Sequence, residues 1–296
     1  MQRDQVLPGI FYMIASTIMF SAVNALVKWE VALYPVDEVA FFRSAFAIIP
    51  CLLIVLPKRG LAGVVRTERF GGHLRRAVSQ LCSMTAIFMA FKLMPLAGAM
   101  AISFSAPLIT TVLSVFLLKE KVGVHRWSAI GVGFIGVILI TDPGAGALQL
   151  GALFALANAV LISTVAIAIR RMGATESAET LLFYQIALLT ILTGLFLPFA
   201  FILPTLTDFG LLALAGLTNG VAQYWWTKSL HMAPPSAVVP FNYLSLLWAA
   251  IIGFAIWGDL PTWQLILGSM VLVASGLYIL WRESGERRLL QRASSS

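Results

Sequence analysis

Long polar stretches are missing from this chain. Only 11% of its 296 residues are charged, 59% are hydrophobic, and the mean hydropathy is +0.91. A water-soluble domain has no use for so much apolar surface, whereas a protein solvated by lipid requires it. No soluble segment is large enough to hold a nucleotide, and no G-x-x-x-x-G-K-[ST] loop occurs, so neither a nucleotide-driven subunit nor a cofactor is expected. H-E-x-x-H and G-x-S-x-G are also absent. His73 and His125 are read as loop residues and His231 as lying at a membrane edge, so no enzyme is expected. Cys51 and Cys82 fall in apolar runs without metal-ligand spacing, and no metal site is expected. Acidic residues number 13, none deep in an apolar run. A cationic cargo or a proton-carrying carboxylate would need one there.

What remains is one apolar run after another. About 20 such residues cross a bilayer as a helix, and ten candidate spans can be marked: 8–27, 37–57, 76–94, 97–118, 126–141, 149–169, 180–200, 207–227, 235–257 and 262–281. Unbroken runs argue for helices, which satisfy their own backbone in lipid, and against the alternating strands of a barrel. The first span has no convincing cleavage site behind it and is read as retained. Placing the N-terminus in the cytoplasm puts seventeen of the twenty Lys and Arg residues on that side, from Arg3 through the 58–76 group to Arg292. Only Lys28 and Lys92 lie opposite, with Arg43 inside the membrane. This positive-inside bias places both termini in the cytoplasm. The net charge of +7 is therefore a topology signal and a surface for anionic headgroups of the bilayer, with no nucleic-acid partner implied.

Sliding the chain on itself by 142 residues aligns Gly9 with Gly151, Ser21 with Ser163, Lys28 with Arg170, Phe42 with Tyr184 and Arg43 with Gln185. An offset of 139 aligns Ser79-Gln80 with Thr218-Asn219, Pro95 with Pro234, and Glu120 with Asp259. Ordered matches at a nearly constant offset point to a five-helix duplication. An odd helix count turns the second copy upside down. Inverted repeats of this kind typify secondary transporters, with cargo held near the midplane between the halves.

The stretch "FFR" at 41–43, the run "LLKEKVGVHRWSAIGVGFIGVILI" at 117–140 and its echo "IWGDLPTWQLILGSMVLVASGLYIL" at 256–280 resemble the drug/metabolite transporter superfamily of the EamA type. Within it, the chain looks most like the YddG-type exporters of aromatic amino acids from bacterial inner membranes. The resemblance implies an all-α integral membrane protein. Ten transmembrane helices form two inverted five-helix repeats, 1–145 and 146–296, around a central cavity, with the fifth and tenth spans peripheral.

A charge at the bilayer centre costs about 2.5–3.5 kcal/mol on insertion scales, so polar residues there should face a cavity, pair or snorkel. Arg43 lies about six residues, or roughly 9 Å, from the outer end of span two. It admits two readings: snorkelling or pairing, with Asp37 and Glu38 as possible partners, or holding a cargo carboxylate in its guanidinium fork. In span eight Asn219, Gln223 and Trp226 share one helical face. Gln80 and Ser83 take the matching part in span three. Asn24, Asn158, Tyr184, Gln185 and Asn242 complete the candidate lining. Lys28 and Lys92 are read as outer snorkels. Pro107 and Pro240 interrupt spans four and nine, as hinges or as passive bends.

A cationic arginine with amides and aromatics suits an amphipathic zwitterion or anion. The expected function is therefore alternating-access export of amino acids, aromatic ones in particular, across a bacterial inner membrane. Carriers of S-adenosylmethionine, a nucleotide-sugar or a phosphate ester are the transport alternatives; several basic residues converging on the cavity would favour phosphate. A non-enzymatic receptor or assembly protein is the alternative from another class.

Overall fold

The computed structural model describes residues 6–119, 123–141, 147–172, 175–233 and 235–295. Arg3, Glu120, Lys121, Pro234 and the 145/146 boundary lie outside them, as do the side chains of Arg170 and His231. Among the described residues the chain is all helix and turn, with no strand. The helices are α1 (Val6–Leu33), α2 (Val36–Val65), α3 (Phe70–Leu93), α4 (Leu96–Ser103), α5 (Ala106–Leu118), α6 (Val124–Thr141), α7 (Ala147–Met172), α8 (Ala178–Ala200), α9 (Leu206–Met232), α10 (Pro235–Val238), α11 (Leu244–Trp257) and α12 (Trp263–Ser295). A 3-10 turn, Val239–Tyr243, joins α10 to α11.

Among the described residues eight stretches are long and apolar enough to cross a membrane: those of α1, α2, α4–α5, α6, α7, α8, Val239–Trp257 and α12. Helices α3 and α9 are as long, at 24 and 27 residues, but carry Arg75, Arg76, Gln80 and Lys92, and Asn219, Gln223 and Lys228. Their polarity keeps them from qualifying on composition.

Local chemistry sets the ends. Ser177 and Thr205 accept hydrogen bonds from the Thr180 and Asp208 N–H groups and cap α8 and α9. Gly258, at φ +70°, ends α11 in the left-handed region that glycine enters without cost. Several helices overrun the apolar runs, and two of these extensions bury ionisable residues. The first continues to Leu33, past the expected end at 27, and leaves Glu30 fully buried; Glu38 at the start of α2 is buried too. Both lie at or beyond the ends of the marked apolar runs, 8–27 and 37–57, rather than deep within them. A helix stops at a breaker such as Pro35, and a charged residue alone does not stop it. The third helix begins at Phe70, and His73 and Arg76 become buried helical residues. His125 likewise belongs to α6, where it is exposed.

Spans four and nine are each broken. A turn at Phe104–Ser105 separates α4 from α5, with Pro107 in the first turn of α5 and exposed. Pro240 sits in the 3-10 turn before α11.

The bundle is built from the pairs α1–α9, α2–α8, α2–α9, α3–α7 and α6–α12. Close approach of α9 to α2 depends on Gly216 and Gly220. A Cβ at Gly220 would fall 2.1 Å from the Pro50 ring, and one at Gly216 2.8 Å from the Arg43 carbonyl. This is the small-xxx-small packing common between helices in lipid. One core cluster, including Phe88, Phe91, Leu96, Ile102 and Leu272, links the first and last helices. Large apolar side chains such as Ile135, Ile138, Leu195, Met270 and Trp281 point outward, as a lipid-facing surface requires.

Candidate functional site

Four helices, α2, α3, α8 and α9, converge on a cavity of about 60 Å³. Its polar lining is Arg43, Ser44, Gln80, Gln185, Asn219 and Gln223, and its apolar lining includes Met84, Leu182, Ile186 and Leu189. The space holds about two waters. Five of the residues picked from the sequence thus come together from four separate helices. Spacing explains this: Asn219 and Gln223 share a stripe of α9, and Gln80 and Met84 share one of α3.

Arg43 donates from Nη2 to Asn219 Oδ1 at 3.0 Å, and its guanidinium lies 5.4 Å from the centre of the Phe88 ring. Its Nε is buried without a partner. Asp37 and Glu38 are not its partners. Glu38 instead accepts from the Ile202 N–H at 3.0 Å. Arg76, one turn before Gln80, donates from Nη1 to Gln185 Oε1 at 3.2 Å and from Nη2 to the Leu181 carbonyl. Sequence reading passed over Arg76 by counting it among the cytoplasmic charges. Its i, i+4 relation to Gln80 was the available signal.

The remaining candidates lie elsewhere. Asn158 donates to the Ser83 carbonyl and hydroxyl, both at 2.9 Å, which clamps α7 to α3. Asn24 donates to Met100 Sδ at 3.3 Å. Trp226 packs against the Met13–Ala233–Val238 cluster. Asn242 lies in the 3-10 turn, where its carbonyl accepts from Ser245. Tyr184 stacks on His73 at 4.4 Å and donates to the Val65 carbonyl at 2.6 Å, near one end of the bundle. These aromatics and amides satisfy partners within helix seams, which residue type does not distinguish from facing a cavity.

Hydrogen bonds close the bundle at both ends. At one, the Tyr34 hydroxyl donates to Asp208 Oδ2 at 2.6 Å and accepts from the Thr205 N–H at 3.2 Å. The hydrogen bond to the Asp208 carboxylate holds the Tyr34 phenol above its usual pKa. Lys28 donates to the Met94 carbonyl at 2.8 Å and lies 3.9 Å from Asp259, so it is tied into this end and does not snorkel; Lys92 is exposed. At the other end Thr67 donates to Glu176 at 2.6 Å, and His73 Nε2 lies 3.8 Å from the same carboxylate.

The profile of the EamA-like transporter family matches the chain twice, over residues 7–142 and 149–281. A riboflavin transporter of Rhizobium johnstonii is 28% identical, covering 97% of this chain and 95% of that protein. An S-adenosylmethionine uptake transporter of Rickettsia bellii is 28% identical over 93% of this chain and 94% of its own length. The pseudopaline exporter CntI of Pseudomonas aeruginosa is 26% identical over 93% and 96%. A crystal structure 18% identical in sequence superposes with a TM-score of 0.60, covering 93% of this chain and 96% of the other, and shares the fold.

Proposed function

We propose, from the premise that the chain belongs to the EamA-like transporter family, that it is an alternating-access exporter of amphipathic amino acids, aromatic ones included. Family and relatives are membrane transporters, so the chain is a multi-pass transporter of a small molecule and not an enzyme. The relatives differ in cargo and, by their names, in direction. The cargo of this chain therefore has to be argued from its own cavity.

The architecture behind this reading is ten spans in two inverted halves, 1–145 and 146–296, with α3 and α9 as the two polar spans. Both termini lie on the cytoplasmic face of a bacterial inner membrane. Three observations support it. The family profile matches each half separately. The cavity is lined by positions equivalent under the sequence offsets: Arg43 with Gln185, Ser44 with Ile186, Ala47 with Leu189, Gln80 with Asn219, and Met84 with Gln223. A cavity on a pseudo-two-fold axis is lined in this way. Finally, Tyr34 and its equivalent Glu176 each make a closing hydrogen bond, at opposite ends of the bundle.

The observation carrying the cargo assignment is Arg43, whose hydrogen-bond partner is a neutral amide and which has no carboxylate partner among the described residues. A guanidinium fork suits a carboxylate. The amides of Gln80, Gln185, Asn219 and Gln223 suit the ammonium and carboxylate oxygens, and Met84, Leu182, Ile186 and Leu189 suit an apolar side chain. Purified protein in liposomes should release preloaded labelled phenylalanine, at a rate indifferent to an imposed pH gradient. Impermeability to every labelled amino acid would overturn the assignment. A second reading, a carrier of a phosphate ester, is favoured by Arg76 beside the same cavity.

A further inference from the structure

A guanidinium removed from water needs a countercharge, because the cost of its burial is not met by neutral hydrogen bonds alone. Arg76 is only 2% exposed. Its two terminal nitrogens are held by an amide oxygen and a backbone carbonyl, and its Nε is buried with no partner. Among the described residues neither Arg76 nor Arg43 has an ion-pair partner. The nearby carboxylate of Glu176 is engaged by Thr67 and lies 3.8 Å from His73.

Arg76 also lines a second, much larger cavity. This space, about 520 Å³, lies among α3, α5 and α7; Arg69, Arg75, Arg76 and Arg171 face it, and among the described residues no acidic one does. Ser79 and Thr164 add hydroxyls. Arg76 thus stands on the wall between two spaces. One face of its side chain borders the basic cavity, and its guanidinium is tied to Gln185, which borders the small cavity together with Arg43. Four arginines without a carboxylate make a region that attracts and holds anions.

We propose that the basic cavity is a binding vestibule for the oxyanion group of the cargo, a carboxylate or a phosphate. Arg76 is its inner ligand and passes that group on to Arg43. The inference rests on the transport reading above and deepens it: the cargo is an organic anion or a zwitterion taken acid end first, and an aromatic cation is refused. The phosphate of an anionic lipid headgroup carries the same chemistry, so the test separates the two sources.

Full-length protein in an uncharged, lipid-free detergent is titrated with phenyl phosphate, phenylacetate and phenethylamine, which share a ring and differ in charge, while thermal unfolding is followed. Both anions should raise the midpoint saturably and the amine should not. Arg76→Gln should weaken the apparent affinity for the anions about tenfold, the loss of one charge-assisted pair, and Arg171→Gln at the rim should weaken it less. Should Arg76→Gln fail to fold, Arg171→Gln combined with Arg69→Gln carries the same expectation from exposed positions. Equal stabilisation by the amine, or anion affinity untouched by these substitutions, overturns the proposal. So does loss of the anion response when phosphatidylglycerol, but not phosphatidylcholine, is added, which assigns the cavity to a lipid headgroup. The transport reading fails separately: arginine-dependent anion binding without flux of any amino acid leaves the vestibule standing and removes the amino-acid cargo.

Discussion

Arg43, half-buried, and Glu30, fully buried, are both ionisable groups withdrawn from water, and their surroundings differ. Arg43 has one amide partner and a cavity beside it. Glu30 is fully buried, and neither carboxylate oxygen has a hydrogen-bond partner. Replacing Arg43 by Lys keeps the charge and removes the fork, so the half-saturating cargo concentration in liposome flux should rise about tenfold if two parallel hydrogen bonds become one. Wild-type affinity would return Arg43 to a purely structural role. Glu30→Met keeps volume and removes two unsatisfied acceptors, and should stabilise the protein by about 1–3 kcal/mol in thermal or denaturant unfolding. A lowered midpoint would mean that the carboxylate has an unrecognised partner. At this scale the sequence was legible where polarity and helical spacing coincide, as for Gln80, Asn219 and Gln223. It was not legible for Tyr184 and Trp226, because an aromatic side chain satisfies a seam as readily as a cavity. Arg76 was missed because, as the first residue of the marked run 76–94, it reads as a charge at the cytoplasmic edge until the helix start at Phe70 is known.

At the scale of elements, the α2–α9 contact and the two broken helices bear most on function. Gly220 meets the Pro50 ring with no room for a Cβ. Gly220→Leu should therefore force α9 away from α2, separate Asn219 from Arg43, and lower both the unfolding midpoint and transport; overpacking of this kind typically costs about 1–3 kcal/mol or more. An unchanged midpoint would show that the helices sit farther apart than they do here. The breaks at Phe104–Ser105 and Val239–Tyr243 lie near Pro107 and Pro240. If these prolines are hinges, Pro107→Ala and Pro240→Ala should slow turnover and leave cargo binding near wild type. Equal turnover would make them passive bends. The prolines announced interruptions in the sequence. The lengths of α1 and α3 could not be read there, because hydropathy marks where lipid begins and helices run on until a breaker or a cap stops them.

For the whole molecule, the helix content and the lipid-facing surface follow from composition, which could hardly support anything else. The gathering around one small cavity of residues related by the offsets 142 and 139 was legible only as weak self-similarity along the chain. The closing contacts were not legible, because they join residues far apart in sequence and depend on how the turns meet. Tyr34–Asp208 at one end and Thr67–Glu176 at the other place the cavity between two hydrogen-bonded closures. Alternating access requires that one opens while the other holds. The most direct measurement uses a background with Cys51→Ser and Cys82→Ser, a reporter Gln80→Cys in the cavity, and a bifunctional thiol reagent bridging one closure at a time. With Tyr34→Cys and Asp208→Cys bridged, an impermeant thiol label should reach the reporter only from the cytoplasmic face. With Thr67→Cys and Glu176→Cys bridged, the label should reach it only from the opposite face. A reporter labelled from the same face in both cases, or from neither, would contradict a path through the seam between two inverted halves.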